Sequence, residues 1–244
     1  MEIIIVKDYE QASDLAFSYM KEVIENNPKA NLGLATGSTP IGLYKRMIAD
    51  YINNSTSYKE IKTFNLDEYF GLDKNHSQSY MTFMNENLFS GIDIDLNNTY
   101  LPQGTGDIQV NCDDYNQLLE KNTLDIQLLG IGSNGHIGFN EPGTSFDSVT
   151  HFIELDQQTR EDNARLFFDN KIDEVPTHAI TMGIKNILDA KKILLIACGE
   201  NKAESIKSML EEEPTVNLPA SALVNHPNVV VIIDEAAASK LTKK

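Results

Sequence analysis

Short apolar runs alternate with amphipathic stretches along most of the chain. Residues 3–6 have strand character, and residues 9–26 then repeat apolar side chains at helical spacing. The further predicted strands are 31–35, 61–66, a short one near Tyr100, 124–129, 152–155, 179–182, 192–197 and 229–233. The further predicted helices are 40–51, 78–88, 112–122, 157–168, 184–189, 201–210 and a closing helix 235–241, with a helical turn at 219–223.

Strands that are separated by helices favour a mostly parallel sheet with helices on both faces. The chain contains no repeat at solenoid spacing and no segment with the composition of a linker. We therefore predict that residues 1–244 form a single doubly wound, Rossmann-like α/β domain.

Charge narrows the choice of partner. The formal net charge is −16 and the sequence pI is about 4.6. Nucleic acids and anionic membranes require a basic surface, so neither is an expected partner. An anionic small molecule would have to be held by a local group of donors, against the overall field.

The chain has the features expected of a cytoplasmic protein. Cys112 and Cys198 lack metal-ligand spacing and are expected to be reduced thiols, with one disulfide as the alternative. The opening residues lack the basic region of a signal peptide and predict a first strand instead. No apolar run approaches the length needed to span a membrane.

The segment LDIQLLGIGSNGHIGFNEP carries the strongest sign of chemistry. A buried strand ends in a glycine-rich loop that contains His136 and Glu141. Ligands of open α/β sheets bind at the carboxyl ends of the strands, where this loop would lie. A single histidine is often a structural residue, but a nearby glutamate can orient an imidazole and support its charged form. No histidine pair has zinc-like spacing, so no metal is expected.

The segment LATGSTP leads from a predicted strand into a predicted helix. The backbone N–H groups of a helix N-terminus can hold a phosphate, and nearby hydroxyl groups can assist them. The residues placed for this are Thr36, Gly37, Ser38 and Thr39. Ordinary capping by serine or threonine before a proline explains the pattern equally well.

Few cations are available to complete a phosphate site. Two of the three arginines, Arg160 and Arg165, lie on one predicted helix, and Lys202 begins the helix after a strongly apolar strand. Each of them, taken singly, is more typical of a solvated surface charge, although the position of Lys202 favours it.

Paired acids follow another strand in the segment FNLDEY. Asp67 or Glu68 could remove a proton from a carbon beside a carbonyl or imine. Acids in this position are also common where a helix or turn begins.

Six segments together resemble the glucosamine-6-phosphate deaminase family, also called the glucosamine-6-phosphate isomerase family. They are LGLATGSTPIGLY, FNLDEYFGL, LLGIGSNGHIGFNEPGT, TREDNARLFF, CGENKAESI and PASALVNHPNV. The resemblance implies a cytoplasmic enzyme of amino-sugar metabolism in N-acetylglucosamine utilisation. Such an enzyme converts glucosamine 6-phosphate into fructose 6-phosphate and ammonium, and the family uses no metal and no cofactor.

The resemblance also implies roles for individual residues. The 36–39 loop, Arg165 and Lys202 would bind the sugar phosphate, and Gly135 would contact the substrate. The catalytic group would consist of Asp67, which moves the C2 proton to C1, and His136, which opens the sugar ring, with Glu141 and Asn134 beside it.

Two segments depart from the pattern of many relatives. Asn134 stands where many carry aspartate; an amide can bond to the imidazole but cannot offset its charge, so Glu141 would carry more of that task. The segment SFDSVTHFIEL lacks the basic residues found there in hexameric members that N-acetylglucosamine 6-phosphate activates. This favours a monomer or small homo-oligomer without allosteric activation.

Two other functions fit the sequence less well. The 6-phosphogluconolactonases have a similar Gly-His loop, but they tend to follow the histidine with ASLFP-like sequence, where this chain has IGFNEP. A sugar-phosphate sensor of a transcription regulator would need a DNA-binding segment, and the sequence has neither a spare helix-turn-helix region nor a basic patch.

Overall fold

Seven parallel strands form the main sheet. The computed structural model describes residues 1–54 and 56–242. The strands lie in the spatial order β1 (Glu2–Val6), β10 (Val229–Asp234), β9 (Ile193–Ala197), β6 (Ile126–Leu129), β2 (Asn31–Leu34), β3 (Lys62–Asn65) and β5 (Thr99–Tyr100). Every residue of β6, β9 and β10 is buried, which requires cover on both faces of the sheet. The predicted doubly wound α/β fold is therefore confirmed.

Helices provide that cover. They are α1 (Tyr9–Asn26), α2 (Ile41–Asn54), α3 (Tyr80–Asn87), α4 (Ile108–Lys121), α5 (Gln157–Phe167), α6 (Ile184–Leu188) and α7 (Ala203–Glu211). Short 3₁₀ segments occur at Phe89–Gly91, Leu96–Asn98, Ile172–Glu174, Glu200–Lys202 and Pro219–Asn225. No helix in the described part of the chain is long and apolar enough to cross a bilayer.

Two helix predictions were wrong, one in its starting residue and one in that no α-helix forms. Helix α4 begins four residues before the predicted start at 112, since the Asp107 carboxylate caps it by accepting the N–H of Val110 at 3.0 Å. The predicted closing helix 235–241 is a series of turns. There, the N–H groups of Ser239 and Leu241 bond three residues back, to the carbonyls of Ala236 and Ala238, and not four residues back as in an α-helix.

A small antiparallel sheet accompanies the main one, and the sequence analysis, which predicted a single sheet, did not foresee it. It consists of β4 (Asp67–Tyr69), β8 (His178–Thr181) and β7 (His151–Glu154), in that order. Leu66 joins the two sheets, because its N–H bonds to Leu34 of β2 and its carbonyl accepts the N–H of Met182 after β8. The acids of FNLDEY are thus held in a strand.

The order of the strands defines a switch point between β2 and β6. From β2 the chain adds β3 and β5 on one side, and from β6 it adds β9 and β10 on the other. A crevice opens at such a reversal, outside the carboxyl ends of the two strands. The 36–39 loop follows β2 and the glycine-rich loop follows β6, so both border this crevice.

Candidate active site

One cleft lies at the switch point and encloses about 920 Å³, including its open mouth. Of the residues predicted from the sequence, it is lined by Thr36, Gly37, Ser38, Thr39, Asp67, His136, Arg165 and Lys202. Asn134 and Glu141 lie behind His136, outside the lining. Gly135 also lies outside it, with Leu218 against its α-carbon.

The 36–39 loop is braced from the first helix of the chain. The Tyr9 hydroxyl accepts the N–H of Gly42 at 2.7 Å and faces the carbonyls of Ser38 and Thr39 at 3.1 and 3.0 Å. Tyr9 therefore holds the backbone of the loop against the start of α2. The sequence alone gave no sign of this role for Tyr9, because the contact joins residues about thirty positions apart.

Lys202 is the cation of the cleft whose surroundings most favour binding of an anionic ligand. Burial lowers the pKa of its ammonium group; Asp162 opposes this effect and Arg165 adds to it. Among the described residues, no side chain bonds or pairs with the Lys202 ammonium. A phosphate would supply the counter-charge that this partly desolvated cation lacks.

The two arginines of α5 lie in different surroundings. Arg165 lines the cleft, but its side chain is 61% exposed and pairs with Asp162 at 2.9 Å. The guanidinium of Arg160 instead donates to the carbonyls of Ile172 and Val175. Arg165 is thus the arginine that lines the cleft, and Arg160 holds the turn after α5.

Asp67 is the buried acid of the cleft. It is 6% exposed, and burial raises its pKa to about 8, with the negative charge of Glu68 adding to the rise. Gly138 allows the glycine-rich loop to pass beside this carboxylate: its φ is +57°, and a β-carbon there would lie 3.5 Å from Asp67 Oδ2 and 2.9 Å from Thr181 Oγ1. When ionised, Asp67 is therefore a stronger base than an ordinary carboxylate.

Glu68 has a different task from its neighbour. It accepts the backbone N–H groups of Tyr69 and Tyr80 at 2.9 Å and of Met81 at 3.2 Å. Burial raises its pKa to about 7, although these donors oppose the rise. Glu68 therefore ties β4 to the first turn of α3, which fixes the strand that carries Asp67.

Asn134, His136 and Glu141 form one bonded group in the glycine-rich loop. Glu141 Oε2 lies 3.4 Å from His136 Nδ1 and accepts a hydrogen bond of 2.9 Å from Asn134 Nδ2. Asn134 Oδ1 accepts the backbone N–H of His136 at 3.2 Å. The Asn134 amide therefore bonds to the glutamate and the loop backbone; we expected it to bond to the imidazole.

The surroundings of Glu141 favour its charged form. Burial alone would raise its pKa, but the hydrogen bond and charge of His136 and the bonds from Thr159 and Asn134 outweigh this and hold the pKa below its ordinary value. An ionised Glu141 beside Nδ1 favours a proton on that nitrogen, so that Nε2 is left to exchange protons with a ligand.

Glycine at position 132 lets the imidazole pack closely on the loop. A β-carbon there would overlap the His136 ring. The N–H of Gly132 also donates to the His136 carbonyl at 2.9 Å. The loop thus fixes both the backbone and the ring of His136.

Tyr80 and Thr159 are among the residues of the cleft that the sequence analysis missed. Tyr80 lines the cleft from α3, and burial raises its pKa well above the ordinary value. Thr159 lines it from α5 and donates to Glu141 Oε1 at 2.7 Å. Thr159 stands in the segment TREDNARLFF, but a threonine within a helix looks like a surface residue in sequence.

Residues 1–54 and 56–242 contain no arrangement of side chains that suits a metal ion. No cluster of three or more histidine, cysteine, aspartate or glutamate side chains is arranged to hold an ion there. Both cysteines are free thiols.

Comparison with known sequences identifies the family. The model for glucosamine-6-phosphate isomerases/6-phosphogluconolactonase matches residues 9–232. A glucosamine-6-phosphate deaminase of Clostridium novyi (strain NT) is 50% identical over 243 residues, which cover 99% of this chain and all of the relative. A protein of the same name from Clostridium botulinum (strain Kyoto / Type A2) is 48% identical over 246 residues and the full length of both.

Solved structures agree with this result. The structure of a monomeric glucosamine-6-phosphate deaminase matches with a TM-score of 0.95 at 45% identity, over 98% of this chain and 99% of the other. The 6-phosphogluconolactonase of Trypanosoma brucei matches with a TM-score of 0.80 at 18% identity over 98% of each chain, a likeness that shows the fold alone. The resemblance found in the motifs is confirmed: the chain belongs to the family of glucosamine-6-phosphate isomerases and 6-phosphogluconolactonases, and the full-length relatives named here are glucosamine-6-phosphate deaminases.

Proposed function

We propose that the protein deaminates glucosamine 6-phosphate to fructose 6-phosphate and ammonium. One observation carries the proposal: Asp67 and His136 line the same cleft as the 36–39 loop and Lys202. A substrate anchored by its phosphate could therefore meet both proton-transfer groups at once. The names of the full-length relatives support the same activity.

The 36–39 loop and Lys202 bind the 6-phosphate in this mechanism. The loop offers hydroxyl groups and backbone N–H groups, and Lys202 offers a charge that no described residue neutralises by direct pairing. Arg165 adds a second cation when it turns from Asp162 to the phosphate. Anchoring the far end of the sugar holds C1 and C2 against the reacting groups and so lowers the entropic cost of reaction.

His136 opens the pyranose ring. Nε2 takes the proton of the anomeric hydroxyl and delivers a proton to the ring oxygen, which breaks the C1–O5 bond and produces an aldehyde at C1. Glu141 stabilises the imidazolium that forms in between, because its carboxylate lies beside Nδ1. Asn134 donates to the same carboxylate oxygen, Oε2, and helps to hold it beside the imidazole.

Asp67 moves the next proton. With C1 an aldehyde, the C2 proton is acidic, and the Asp67 carboxylate removes it. The aldehyde oxygen takes up a proton from the 2-ammonium group of the substrate, which gives a neutral enolamine with a C1–C2 double bond and a hydroxyl group on C1. Asp67 then returns the proton to C1, so that C1 becomes a hydroxymethyl group and C2 an iminium ion. The raised pKa of Asp67 suits both halves of this step, since it makes the carboxylate a better base and keeps the acid form available at neutral pH.

Water completes the reaction. It adds to C2 of the iminium ion, and the C–N bond then breaks; the oxygen of water becomes the C2 carbonyl and nitrogen leaves as ammonium. The atoms and charges balance without any oxidant or reductant.

Ammonia release tests the proposal. Purified protein is incubated with glucosamine 6-phosphate and a metal chelator, and both ammonia and fructose 6-phosphate are measured by coupled assays. We expect equal amounts of the two products. Hydrolysis of 6-phosphogluconolactone is measured in parallel, and lactone loss without ammonia release would replace the proposal by the lactonase activity.

A further inference from the structure

Both oxygens of the Glu141 carboxylate are held, but by different parts of the fold. Oε2 accepts from Asn134 and faces His136, which belong to the same loop as Glu141. Oε1 accepts the Thr159 hydroxyl at 2.7 Å, and Thr159 belongs to α5, eighteen residues along the chain. Thr159 is 4% exposed and Glu141 7% exposed, so water has little access to this contact.

The Thr159 hydroxyl lies between the side chains of His136 and Glu141, which together form the ring-opening pair. Its single proton goes to Glu141 Oε1, and its oxygen also lies 3.4 Å from His136 Nδ1. A hydroxyl that donates its proton can still accept one, so it can receive the Nδ1–H of the imidazole. Threonine in a helix commonly bonds back to a carbonyl of the preceding turn, but here the hydroxyl bonds across to the active-site loop.

We infer that Thr159 is a positioning residue for the ring-opening pair, acting through Glu141. The terminal torsion of a glutamate side chain is broad, so a carboxylate keeps a fixed orientation only when both of its oxygens are bound. The Thr159 bond sets the rotation that points Oε2 at Nδ1. Without the bond, Oε1 is a buried acceptor with no partner among the described residues, and the carboxylate turns away from the imidazole to find one. This inference rests on the proposed function.

Two substitutions separate the hydroxyl from the shape of the side chain. Thr159→Val keeps the branched shape and removes the hydroxyl, whereas Thr159→Ser keeps the hydroxyl. We expect Thr159→Val to lower kcat for glucosamine 6-phosphate about tenfold, the effect of losing one hydrogen bond to a charged group, with little change in KM. Thr159→Ser should stay within about threefold of the unsubstituted protein, since its hydroxyl can still reach Glu141.

A spectroscopic measurement reports on the contact itself. The carboxyl carbon of Glu141 is followed by ¹³C NMR as a function of pH, with its signal assigned from its absence in Glu141→Gln. The Thr159 bond favours the ionised carboxylate, so its removal in Thr159→Val should raise the pKa of Glu141, and Thr159→Ser should restore it. A residue that only packs the helix would leave this titration unchanged.

The controls use other parts of the molecule and another ligand. Thr177→Val removes a different hydroxyl that lies 2.8 Å from a histidine nitrogen, that of His178, and should change neither kcat nor the Glu141 titration. Binding of 2-amino-2-deoxyglucitol 6-phosphate, which has no ring to open, should be equal in all folded variants. If Thr159→Val fails to fold by circular dichroism, Thr159→Ala takes its place.

The outcomes separate the two proposals. If the unsubstituted protein releases no ammonia, the proposed function fails, whatever Thr159 does. If ammonia is released but Thr159→Val matches the unsubstituted protein in kcat and in the Glu141 titration, the inference about Thr159 is overturned. Equal losses in Thr159→Val and Thr159→Ser would overturn it as well, because the hydroxyl would then not be the cause.

Discussion

Replacing Asp67 by asparagine should lower turnover and raise stability in the same protein. Asparagine has almost the same shape but cannot accept the C2 proton. A positioned base contributes about 10²–10⁴ in rate, so we expect kcat for ammonia release to fall about 10³-fold or more. Binding of the open-chain glucitol phosphate should change little, because the 36–39 loop and Lys202 bind its phosphate in another part of the cleft.

The stability change follows from the raised pKa of Asp67. The ordinary pKa is 3.8 and the value in the folded protein is about 8, so the folded state binds more protons than the unfolded state between these limits. Stability therefore falls as pH rises through this window, and the loss is complete above pH 8. At pH 7 the loss of stability is about 4 kcal/mol. This is an upper value for the stability that Asp67→Asn gains, because burying an amide also costs free energy.

Urea unfolding at pH 5, 6.5 and 8, together with the ammonia assay, checks both parts. Asp67→Asn should gain stability over the unsubstituted protein by an increasing margin along this series. Asp173→Asn, which changes an exposed aspartate outside the cleft, should show normal turnover and no such trend. Near-normal turnover in Asp67→Asn would refute its role as the base, and a margin that does not grow with pH would refute the cost assigned to its burial.

Three further substitutions test other parts of the cleft. Lys202→Ala should raise KM by about 10–100-fold with kcat nearly unchanged, whereas Lys207→Ala in α7, the helix that follows Lys202, should leave KM unchanged. Steady-state kinetics would contradict the phosphate role of Lys202 if only kcat fell. His136→Gln should lower kcat for glucosamine 6-phosphate, with a smaller defect on an open-chain substrate analogue, and equal defects would argue against ring opening. Gly132→Ala should reduce kcat more than tenfold because the new methyl group displaces the imidazole; normal kcat would show that the ring tolerates the shift.

The sequence predicted the helices and strands whose formation depends on residues that are close together in the chain. Helix α1 begins and ends at the predicted residues 9 and 26 because its apolar side chains repeat at helical spacing. Strand β6 lies within the predicted strand 124–129, a mostly apolar run. Strand β4 was missed because its partner β8 lies more than a hundred residues further along the chain. Three residues without a pattern of their own give no sign of such a pairing.

In the candidate site, too, the residues on local motifs could be predicted, but their partners from distant segments could not. The motifs pointed to Asp67, His136 and the 36–39 loop, which lie at strand ends where a parallel sheet gathers its ligands. Their partners Tyr9 and Thr159 could not be predicted, because they act through contacts between segments that are distant in the chain. The pairing of Arg165 with Asp162 also lay beyond the motif, which indicates a residue type and not its orientation.

The strand order also has a consequence for synthesis of the chain. Strand β1 is made first, yet its neighbour in the main sheet is β10, the last strand to be made. Because the N-terminus leaves the ribosome first, β1 cannot pair with β10 and join the sheet until residue 234 has emerged. A chain that stopped before residue 229 would lose β10 and leave β1 with nothing to pair with, so one early stop would remove two strands from the same edge.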